Sequence, residues 1–422
     1  MKKAVGFSIL SLLILCFLFA CSKAGAEDTK IAEKPVEISL LSNMLGGTDS
    51  ALESAVIDFE KESGIQVDFS SPGKNYENIM KENMATGKMP DVFTTHGWSV
   101  NRYQNYLLPL NDLSFAKNIS GYIRPIITDS TGALLVLPID MDLSGIVYDP
   151  GILKKAGITP NGIATWDDFA KACEKIRRAG YNPICIAGKD ANSAGQFVDR
   201  VSSSFFITNE AANQRAELRS GKFNVATWKK AAEMMSLWGR QGYYNSDILN
   251  CDYSGLIKEI AQGKSAFIFL DNSVIFDVKR FNPKSQLSMM PIPAEQHTDS
   301  PTMVVGESMA LGIWKASAHK EAAQKLLEYL AQPAVAEKIA SSNGKPSALT
   351  NVKNSPEVSP CYFKNKPVRT FPYFDREYLP TGMWDVLCSV GTDILSNKPD
   401  AVNQSAVTMQ NNFRDKFFFN KS

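Results

Sequence analysis

Residues 36–69, VEISLLSNMLGGTDSALESAVIDFEKESGIQVDF, decide the fold class. Residues 36–40 alternate apolar and polar side chains, which predicts a β-strand. A capping-box pattern at residues 50–53 then predicts a helix start. The apolar face of this helix would consist of Leu52, Ala55, Val56 and Phe59. Gly64 predicts the helix end, and residues 65–69 alternate again. Strand, helix and strand form a βαβ unit, so the segment predicts a parallel sheet and an α/β fold.

The same succession of strands and helices continues along the chain. Short apolar runs predict further strands at residues 90–93, 134–137, 266–270 and 309–313. One amphipathic helix would be capped at residues 165–168, with an apolar face of Phe169, Ala172, Cys173 and Ile176. Another would bury Ala323, Leu326, Leu327 and Leu330. Since the sequence has no linker between its halves, we expect the chain to pass between two α/β lobes several times.

The first twenty-one residues indicate where the protein works. Two lysines precede an unbroken apolar run, residues 4–20, and Cys21 follows directly. This order predicts an export signal at residues 1–20, and the cysteine after it resembles the lipobox of bacterial lipoproteins. An uncleaved transmembrane anchor is the alternative, but the run falls short of the roughly 20 residues that span a bilayer. We expect Cys21 to be acylated, residues 21–35 to form a tether, and the protein to be held at the outer face of the cell membrane or in the periplasm.

Composition and charge restrict the possible partners. Of the 422 residues, 44% are hydrophobic and 21% are charged, as in water-soluble globular proteins. After loss of the signal, 43 basic residues face 44 acidic ones. Nucleic-acid binding needs a basic surface, so we expect no nucleic-acid partner.

The cysteines do not suggest a metal site. Five remain once the signal and Cys21 are set aside: Cys173, Cys185, Cys251, Cys361 and Cys388. None has the close spacing of zinc ligands, and an odd number cannot all pair within one chain. Cys173 is expected to be a buried thiol, and Cys361 with Cys388 is one candidate disulfide.

Three segments carry the pattern of a known family: residues 137–149 (LPIDMDLSGIVYD), 263–267 (GKSAF) and 305–317 (VGESMALGIWKAS). In order and spacing they resemble the extracellular solute-binding proteins of sugar ABC transporters, the family typified by maltose-binding protein. The resemblance extends from Ile38 to about Trp384.

The resemblance implies a two-lobed periplasmic-binding-protein fold with a central cleft and a hinge of several strands. The first lobe would comprise residues 36–143 with 275–327, and the second residues 144–274 with 328–422. It also implies a monomer without cofactor or catalytic activity, which captures a mono- or oligosaccharide in the cleft and delivers it to the membrane permease of an ABC importer.

Several polar residues are candidates for ligand binding because they follow predicted strands, where parallel sheets place their binding groups. Asp140 and Asp142 lie two apart in an extended segment and are expected to point the same way. Asp142 matches a sugar-binding Glu of the family. The other polar candidates are Asn43, Gly47, Asp49, His96, Asp271, Asn272, Gly306, Glu307 and Ser308. The loop that contains Asn43, Gly47 and Asp49 would equally suit an ordinary turn with a helix cap.

Aromatic side chains are the second group of candidates, because sugars stack on flat rings. Trp98 follows the strand at residues 90–93, close to where the family carries a stacking Trp. Trp384 resembles a stacking Trp near the C-terminus of the family. Phe197 is a third candidate; core packing is an equal alternative for both Trp384 and Phe197. Ser273 stands where many relatives have a Trp, so one expected platform is absent.

The sequence is also compatible with two other functions. One is an exported hydrolase of polysaccharide, with Asp140 or Asp142 and Glu307 as acid and base. The other is a binder of a cationic, non-sugar solute, because the candidate residues are acidic, amide and aromatic.

Overall fold

A computed structural model describes residues 35–97, 99–342, 344–353 and 369–419. The signal, Cys21, Trp98 and Cys361 lie outside these residues. The strands of the described part are β1 Glu37–Leu41, β2 Gln66–Ser70, β3 Val92–Thr95, β4 Leu137–Pro138, β5 Met141–Ser144, β6 Ile146–Tyr148, β7 Asn182–Cys185, β8 Ser265–Ile268, β9 Ser288–Met290, β10 Thr302–Glu307, β11 Ala310–Ile313 and β12 Arg369–Pro372. Its α-helices are α1 Gly46–Ser63, α2 Tyr76–Thr86, α3 Arg124–Ile127, α4 Pro150–Lys155, α5 Trp166–Arg178, α6 Ala191–Phe206, α7 Arg215–Arg219, α8 Val225–Arg240, α9 Tyr253–Ala261, α10 Ser273–Phe281, α11 Lys320–Leu330, α12 Pro333–Ser341, α13 Phe374–Tyr378, α14 Met383–Leu395 and α15 Ala401–Phe419.

The first sheet has the strand order β2-β1-β3-β11-β4. Strand β1 pairs in parallel with β2 and β3, so the predicted βαβ unit is confirmed. Helix α1 ends at Gly64 with a φ of 73°, as predicted, but it begins at Gly46 and not at Ser50. Leu45 is the N-cap and Ser50 lies inside the helix, where its hydroxyl donates to the carbonyl of Gly46. The sheet with α1, α2, α11 and α12 is called the first lobe below.

A second group of helices packs against the four-stranded sheet β7-β8-β6-β9. The predicted capping box of α5 is present, because the Thr165 hydroxyl and the Asp168 carboxylate each bond the other residue's backbone N–H. Phe169 is fully buried, with its ring centroid 4.7 Å from Phe267 and 5.4 Å from Trp238. This sheet with α5, α6, α8, α14 and α15 is called the second lobe.

A central sheet, β12-β10-β5, connects the lobes. Strand β5 follows β4 of the first sheet and precedes β6 of the second lobe, while β10 leads back into β11. Strands β5 and β10 are antiparallel, with Asp142 opposite Gly306. The chain therefore crosses between the lobes on paired strands, which is a multi-strand hinge.

Two segments of the chain lie in a different lobe from the one that the predicted boundaries assign. Ile275 lies in α10, which packs against α9 between the second-lobe strands β7 and β8, and β9 then pairs with β6 of the same lobe. The crossing back lies at β10, after the predicted position near Ile275. At the second boundary, Ile339 and Leu349 lie in the first core, so the chain stays there beyond Leu327.

The described cysteines are all free thiols. Cys173 is buried in the core of the second lobe, as predicted, and Cys388 is buried as well. The proposed pairing of Cys361 with Cys388 involves a residue outside the described part. None of the described helices is both long and apolar enough to cross a bilayer.

The aromatic core of the second lobe gives a stability prediction. Replacing Phe169 with alanine should lower the free energy of unfolding by about 3–5 kcal/mol, because a cavity replaces a buried ring. Phe281 is 58% exposed, so Phe281→Ala should change it by less than about 0.5 kcal/mol. Urea unfolding of the two variants and the parent measures the difference. Equal losses in the two variants would contradict the assigned core.

Candidate functional site

A cleft of about 540 Å³ lies where the two lobes and the central sheet meet. The first lobe contributes residues from α2 and from the segment after β3, the central sheet contributes Asp142, and the second lobe contributes α6, α14 and the segment around α13. Its lining consists of Glu77, Lys81, His96, Arg102, Asp142, Asn192, Gln196, Asp199, Arg200, Asp271, Tyr373, Asp375, Arg376, Thr381, Gly382, Trp384 and Asp385. Charged groups of both signs dominate this surface.

Asp142 is the residue of the central sheet that faces the cleft, and two cations contact it. Its carboxylate forms an ion pair with the ammonium group of Lys345, and its Oδ2 lies 4.0 Å from Arg376 Nη2. Lys345 Nζ also donates to Ser308 Oγ at 2.6 Å. Burial alone would lower the pKa of Lys345, but the carboxylates of Asp142, Asp271 and Asp140 outweigh burial and raise it. Lys345 therefore remains charged at neutral pH.

Arg376 joins the second lobe to the first. Its guanidinium carbon lies 4.2 Å from the centre of the Tyr373 ring, and its Nη1 donates to the Glu307 carbonyl at 3.2 Å. A Cβ at Gly97 would lie 2.3 Å from Arg376 Cδ, and Gly97 has a φ of 71°. A Cβ at Gly306 would lie 2.8 Å from the Tyr373 ring. Side chains of this protein therefore fill the space that both glycines leave.

Arg200 is a fully buried cation behind the cleft surface. Its Nη1 donates to the Gln196 carbonyl at 3.0 Å, and its Nη2 donates to Ser144 Oγ at 2.9 Å. Ser144 Oγ lies 2.9 Å from the Tyr373 hydroxyl, in a hydrogen bond. This chain of contacts ties α6 to the central sheet, and burial raises the pKa of Tyr373 so that its phenol stays protonated.

Two buried carboxyl groups, Asp199 and Asp375, lie side by side in the lining. Asp199 Oδ1 accepts a hydrogen bond from the backbone N–H of Asp375 at 3.0 Å. Burial, then the charge of Asp375, raise the pKa of Asp199 to about 8, against the opposing charge of Arg200. Burial also raises the pKa of Asp375. Asp199 is therefore mostly a neutral carboxylic acid at pH 7, able to donate a hydrogen bond.

His96 and Asp271 line the cleft as the sequence suggested. Burial, followed by the charges of Arg376, Arg102 and Lys345, lowers the pKa of His96 to about 3, so its imidazole is neutral. Burial alone would raise the pKa of Asp271, but the charge of Lys345 and the hydrogen bonds from Ser273 bring it below its ordinary value. Asp271 is thus a carboxylate acceptor.

Trp384, the predicted platform near the C-terminus, is an aromatic residue of the cleft lining. It lies at the start of α14, half-buried, and its indole N–H donates to Asn192 Oδ1 at 3.0 Å. The hydrogen bond fixes the indole against α6 while the residue remains part of the lining. The position of Trp98, the other predicted platform, lies outside the described residues.

Asp140, Glu307 and Phe197 do not line the cleft, contrary to the sequence prediction. Asp140 is fully buried and accepts from the backbone N–H of Met309 at 2.8 Å, so its carboxylate lies behind the cleft lining. Glu307 is also fully buried and accepts from the backbone N–H and hydroxyl of Ser99, each at 3.1 Å. The buried Phe197 ring packs edge-on against Phe269, with centroids 4.9 Å apart. The first two residues hold loops in place, and Phe197 belongs to the core.

Other predicted residues lie near the cleft but outside its lining. Asn43 bonds Thr94, whose hydroxyl donates to Asn43 Oδ1 at 2.7 Å, and Asp49 accepts from Ser71 Oγ at 2.8 Å. Gly47 lies in the first turn of α1, whose N-cap Leu45 makes no side-chain cap, so this loop is a turn without the cap that the alternative prediction included. Asn272 is buried, Gly306 is covered by Tyr373 and Arg376, and Ser308 bonds Lys345.

Sequence reasoning missed the cations of the cleft and the Tyr373–Arg376 segment. One available signal was the pair Asp199–Arg200, which interrupts the apolar face of a helix between Val198 and Val201. The other was position, because residues 373–376 follow the carboxyl end of β12, where binding groups collect. Lys345 had no local signal.

Comparisons with known proteins agree with this architecture. A family model of bacterial extracellular solute-binding proteins matches residues 45–337. The melibiose/raffinose/stachyose-binding protein MelE of Bacillus subtilis is 33% identical over 392 residues, which cover 91% of this chain and 90% of MelE.

Two solved structures are similar over nearly the whole chain. A binding protein named MsmE from Bacillus subtilis, solved in an open conformation, has a TM-score of 0.86 and 30% identity, and the match covers 92% of this chain and 99% of that one. A sugar transporter protein from Bacillus licheniformis, solved in complex with stachyose, has a TM-score of 0.78 and 34% identity, with 90% and 100% covered. The family match exceeds half of the chain, and the chain therefore belongs to the bacterial extracellular solute-binding proteins.

Proposed function

We propose that this protein captures an oligosaccharide with α-galactosyl units in the interlobe cleft and delivers it to the membrane permease of an ABC importer. One observation carries the proposal: the cleft combines the half-buried ring of Trp384 with a dense set of hydrogen-bonding side chains at the junction of two lobes. The names of MelE and of the stachyose complex support the substrate class. Melibiose, raffinose and stachyose share an α-linked galactose.

The side chains of the lining suit sugar hydroxyls, which both donate and accept hydrogen bonds. Arg102 and Arg376 supply donors, Asp271 supplies acceptors, and Gln196 supplies both. Each group is held in place by the protein, which reduces the ordering cost of binding. A sugar ring that stacks on Trp384 would bury its apolar face while its hydroxyls reach these groups.

The balance of charge favours a neutral ligand over a cationic solute. Asp142 already contacts Lys345 and Arg376, and Glu77 pairs with Arg102. Paired carboxylates leave little excess negative potential to attract a cation. The sequence suggested an acidic cleft because Arg102, Arg200 and Arg376 were not among the predicted binding residues.

The central sheet supports a hinge mechanism for capture. Strands β5 and β10 cross between the lobes as an antiparallel pair, and a small rotation about them would open or close the cleft. A ligand that contacts both lobes binds the closed form more tightly and shifts the population toward it. The permease would then recognise the closed form, presented by a monomer.

The acid and base predicted for the hydrolase alternative do not meet in the cleft. Asp140 and Glu307 are both buried in hydrogen bonds to the backbone and do not line the cleft. In the described part of the cleft, Asp199 and Asp375 are adjacent carboxyl groups, and the charges of Arg200 and Arg376 act on both. We propose that the protein is not an enzyme. Incubation with raffinose or stachyose and chromatography of the products should show intact sugar, and released galactose would reverse this proposal.

Loss of the Trp384 ring should weaken sugar binding. Trp384→Ala is expected to reduce the affinity for raffinose by about 1–3 kcal/mol, because stacking and apolar burial are both lost. Trp384→Phe keeps a ring and should lose less. Isothermal titration calorimetry measures both, with thermal unfolding of the sugar-free variants as the control for folding. An affinity of Trp384→Ala equal to that of the parent would show that the ligand does not use this platform.

The Asp199 carboxyl should make stability depend on pH. Its pKa is raised in the folded state, so the folded protein binds more protons than the unfolded chain between about pH 4 and 8. The stability that the neutral acid contributes is full below pH 4 and is lost as the pH rises towards 8. Asp199→Asn resembles the neutral acid and does not titrate.

Urea unfolding at pH 5, 6.5 and 8 tests this prediction. The unfolding free energy of the parent, taken relative to Asp199→Asn, should fall with rising pH by up to about 1.4 kcal/mol per pH unit. A difference that stays constant over this range would show that Asp199 is ionised throughout.

We further propose that the exported chain is anchored by a lipid on Cys21, on the basis of its signal sequence. Cys21→Ser should move the protein from the detergent phase to the aqueous phase in a phase-separation assay and abolish labelling by a palmitate analogue. Cys173→Ser, which changes a buried thiol, should keep both properties. Labelling that persists in Cys21→Ser would contradict the anchor.

A further inference from the structure

A second cavity, of about 440 Å³, adjoins the interlobe cleft. Asn192, Gln196 and Asp271 belong to the linings of both cavities. A ligand that contacts these three residues from the main cleft is therefore in contact with the wall of the second cavity. The two cavities are therefore neighbours that share one wall on the second lobe.

The second cavity lies at the carboxyl ends of two neighbouring parallel strands. Strand β7 leads through the loop with Lys189 and Asp190 into α6, and β8 leads through Asp271 into α10. The first residue of α9, Tyr253, closes the third side. Parallel sheets collect their binding groups at this edge, so the cavity has the same origin in the fold as the main cleft.

Tyr253 presents an aromatic ring to this cavity in a fixed position. Its hydroxyl donates to Asp277 Oδ2 at 2.7 Å, and its backbone N–H donates to Asp190 Oδ2 at 2.6 Å. The residue is nevertheless 37% exposed, which is unusual for a tyrosine anchored at both ends. Ser193 and Asp271 add a hydroxyl and a carboxylate to the same lining. An exposed ring beside polar groups is the arrangement that binds a sugar ring.

The opposite end of the cleft differs in chemistry. A smaller cavity of about 270 Å³ adjoins it there and is lined by Leu379, Pro380, Met383 and Phe417 as well as by residues of the main cleft. The four apolar side chains offer no partners to sugar hydroxyls, and the one polar residue that this cavity adds, Asn101, already donates to the Arg376 carbonyl and to Glu377. A chain of sugars that outgrows the main cleft is therefore accommodated better towards Tyr253.

We propose that Tyr253 forms an additional saccharide subsite, which binds the units of an oligosaccharide that extend beyond a disaccharide held in the main cleft. The inference rests on the proposed function and adds a basis for selection by length. The ring of Tyr253 stacks on the additional sugar, and Asp271 and Ser193 accept or donate hydrogen bonds to its hydroxyls. The ligand class is thus a neutral tri- or tetrasaccharide.

A series of related sugars separates this subsite from the main cleft. Calorimetry with melibiose, raffinose and stachyose gives the affinity for two, three and four units in the parent, Tyr253→Ala, Tyr253→Phe and Phe417→Ala. Tyr253→Ala should weaken stachyose binding about tenfold and leave melibiose binding unchanged, because only the longer sugar reaches the ring. Tyr253→Phe keeps the ring and should stay within about threefold of the parent for stachyose.

Different outcomes would overturn different parts of the argument. If Tyr253→Ala binds all three sugars as tightly as the parent does, the proposal of a subsite at Tyr253 is wrong, while the proposed function stands. The same holds if Phe417→Ala alone weakens stachyose binding, which would place the extra units at the apolar end. Equal losses for melibiose and stachyose in Tyr253→Ala would show an effect on the whole cleft and not a subsite. If the parent binds none of the sugars, the proposed function itself fails, and the subsite with it.

Discussion

The ion cluster around Asp142 is the constraint on which the rest of the cleft depends. Its carboxylate lies on the central strand β5, 4% exposed, between Lys345 of the first lobe and Arg376 of the second. A buried carboxylate without a partner costs several kcal/mol, so the close ion pair with Lys345 is what makes the burial of Asp142 possible, and Arg376 adds a second, longer contact. Arg376 in turn needs the bare backbone of Gly97 and a nearby Glu307 carbonyl. One charge thus fixes the meeting point of three separate parts of the chain.

Much of the fold could be predicted from the sequence because the patterns that specify it are local. The β1–α1–β2 unit, the capping box of α5 and the buried face around Phe169 each follow from residues within one element. The start of α1 was placed too late because a capping-box pattern at Ser50 lies inside a helix that begins at Gly46. The lobe boundaries were harder to predict. Strand β9 is only three residues long, and what assigns it to the second lobe is its pairing with β6.

The cleft was predictable only in part, because its chemistry comes from contacts between distant segments. Asp142, Asp271 and Trp384 could be located from strand ends and from the family resemblance, and they do line the cleft. Asp140 carries the same side chain as Asp142 two residues away, yet it bonds the backbone of the β10–β11 turn. Spacing in a strand gives the direction of a side chain only while the strand continues, and β5 begins after Asp140. Lys345 pairs with Asp142 across some two hundred residues, a distance over which sequence pattern carries no information.

The position of the charges also explains how the lobes can move without exposing them. In a rotation about the central sheet, groups move in proportion to their distance from it, so the Asp142 cluster moves least. Exposed contacts between the lobes, such as those from Asn101 Nδ2 to the Arg376 carbonyl at 3.2 Å and to Glu377 at 3.1 Å, would change in the proposed rotation. Those contacts are exposed and water can replace them at small cost, whereas the buried pairs cannot be replaced in this way. The buried ion pairs thus lie on the central sheet and the replaceable contacts at the surface, so the proposed closure would depend on differences in ligand binding more than on the breaking of ion pairs.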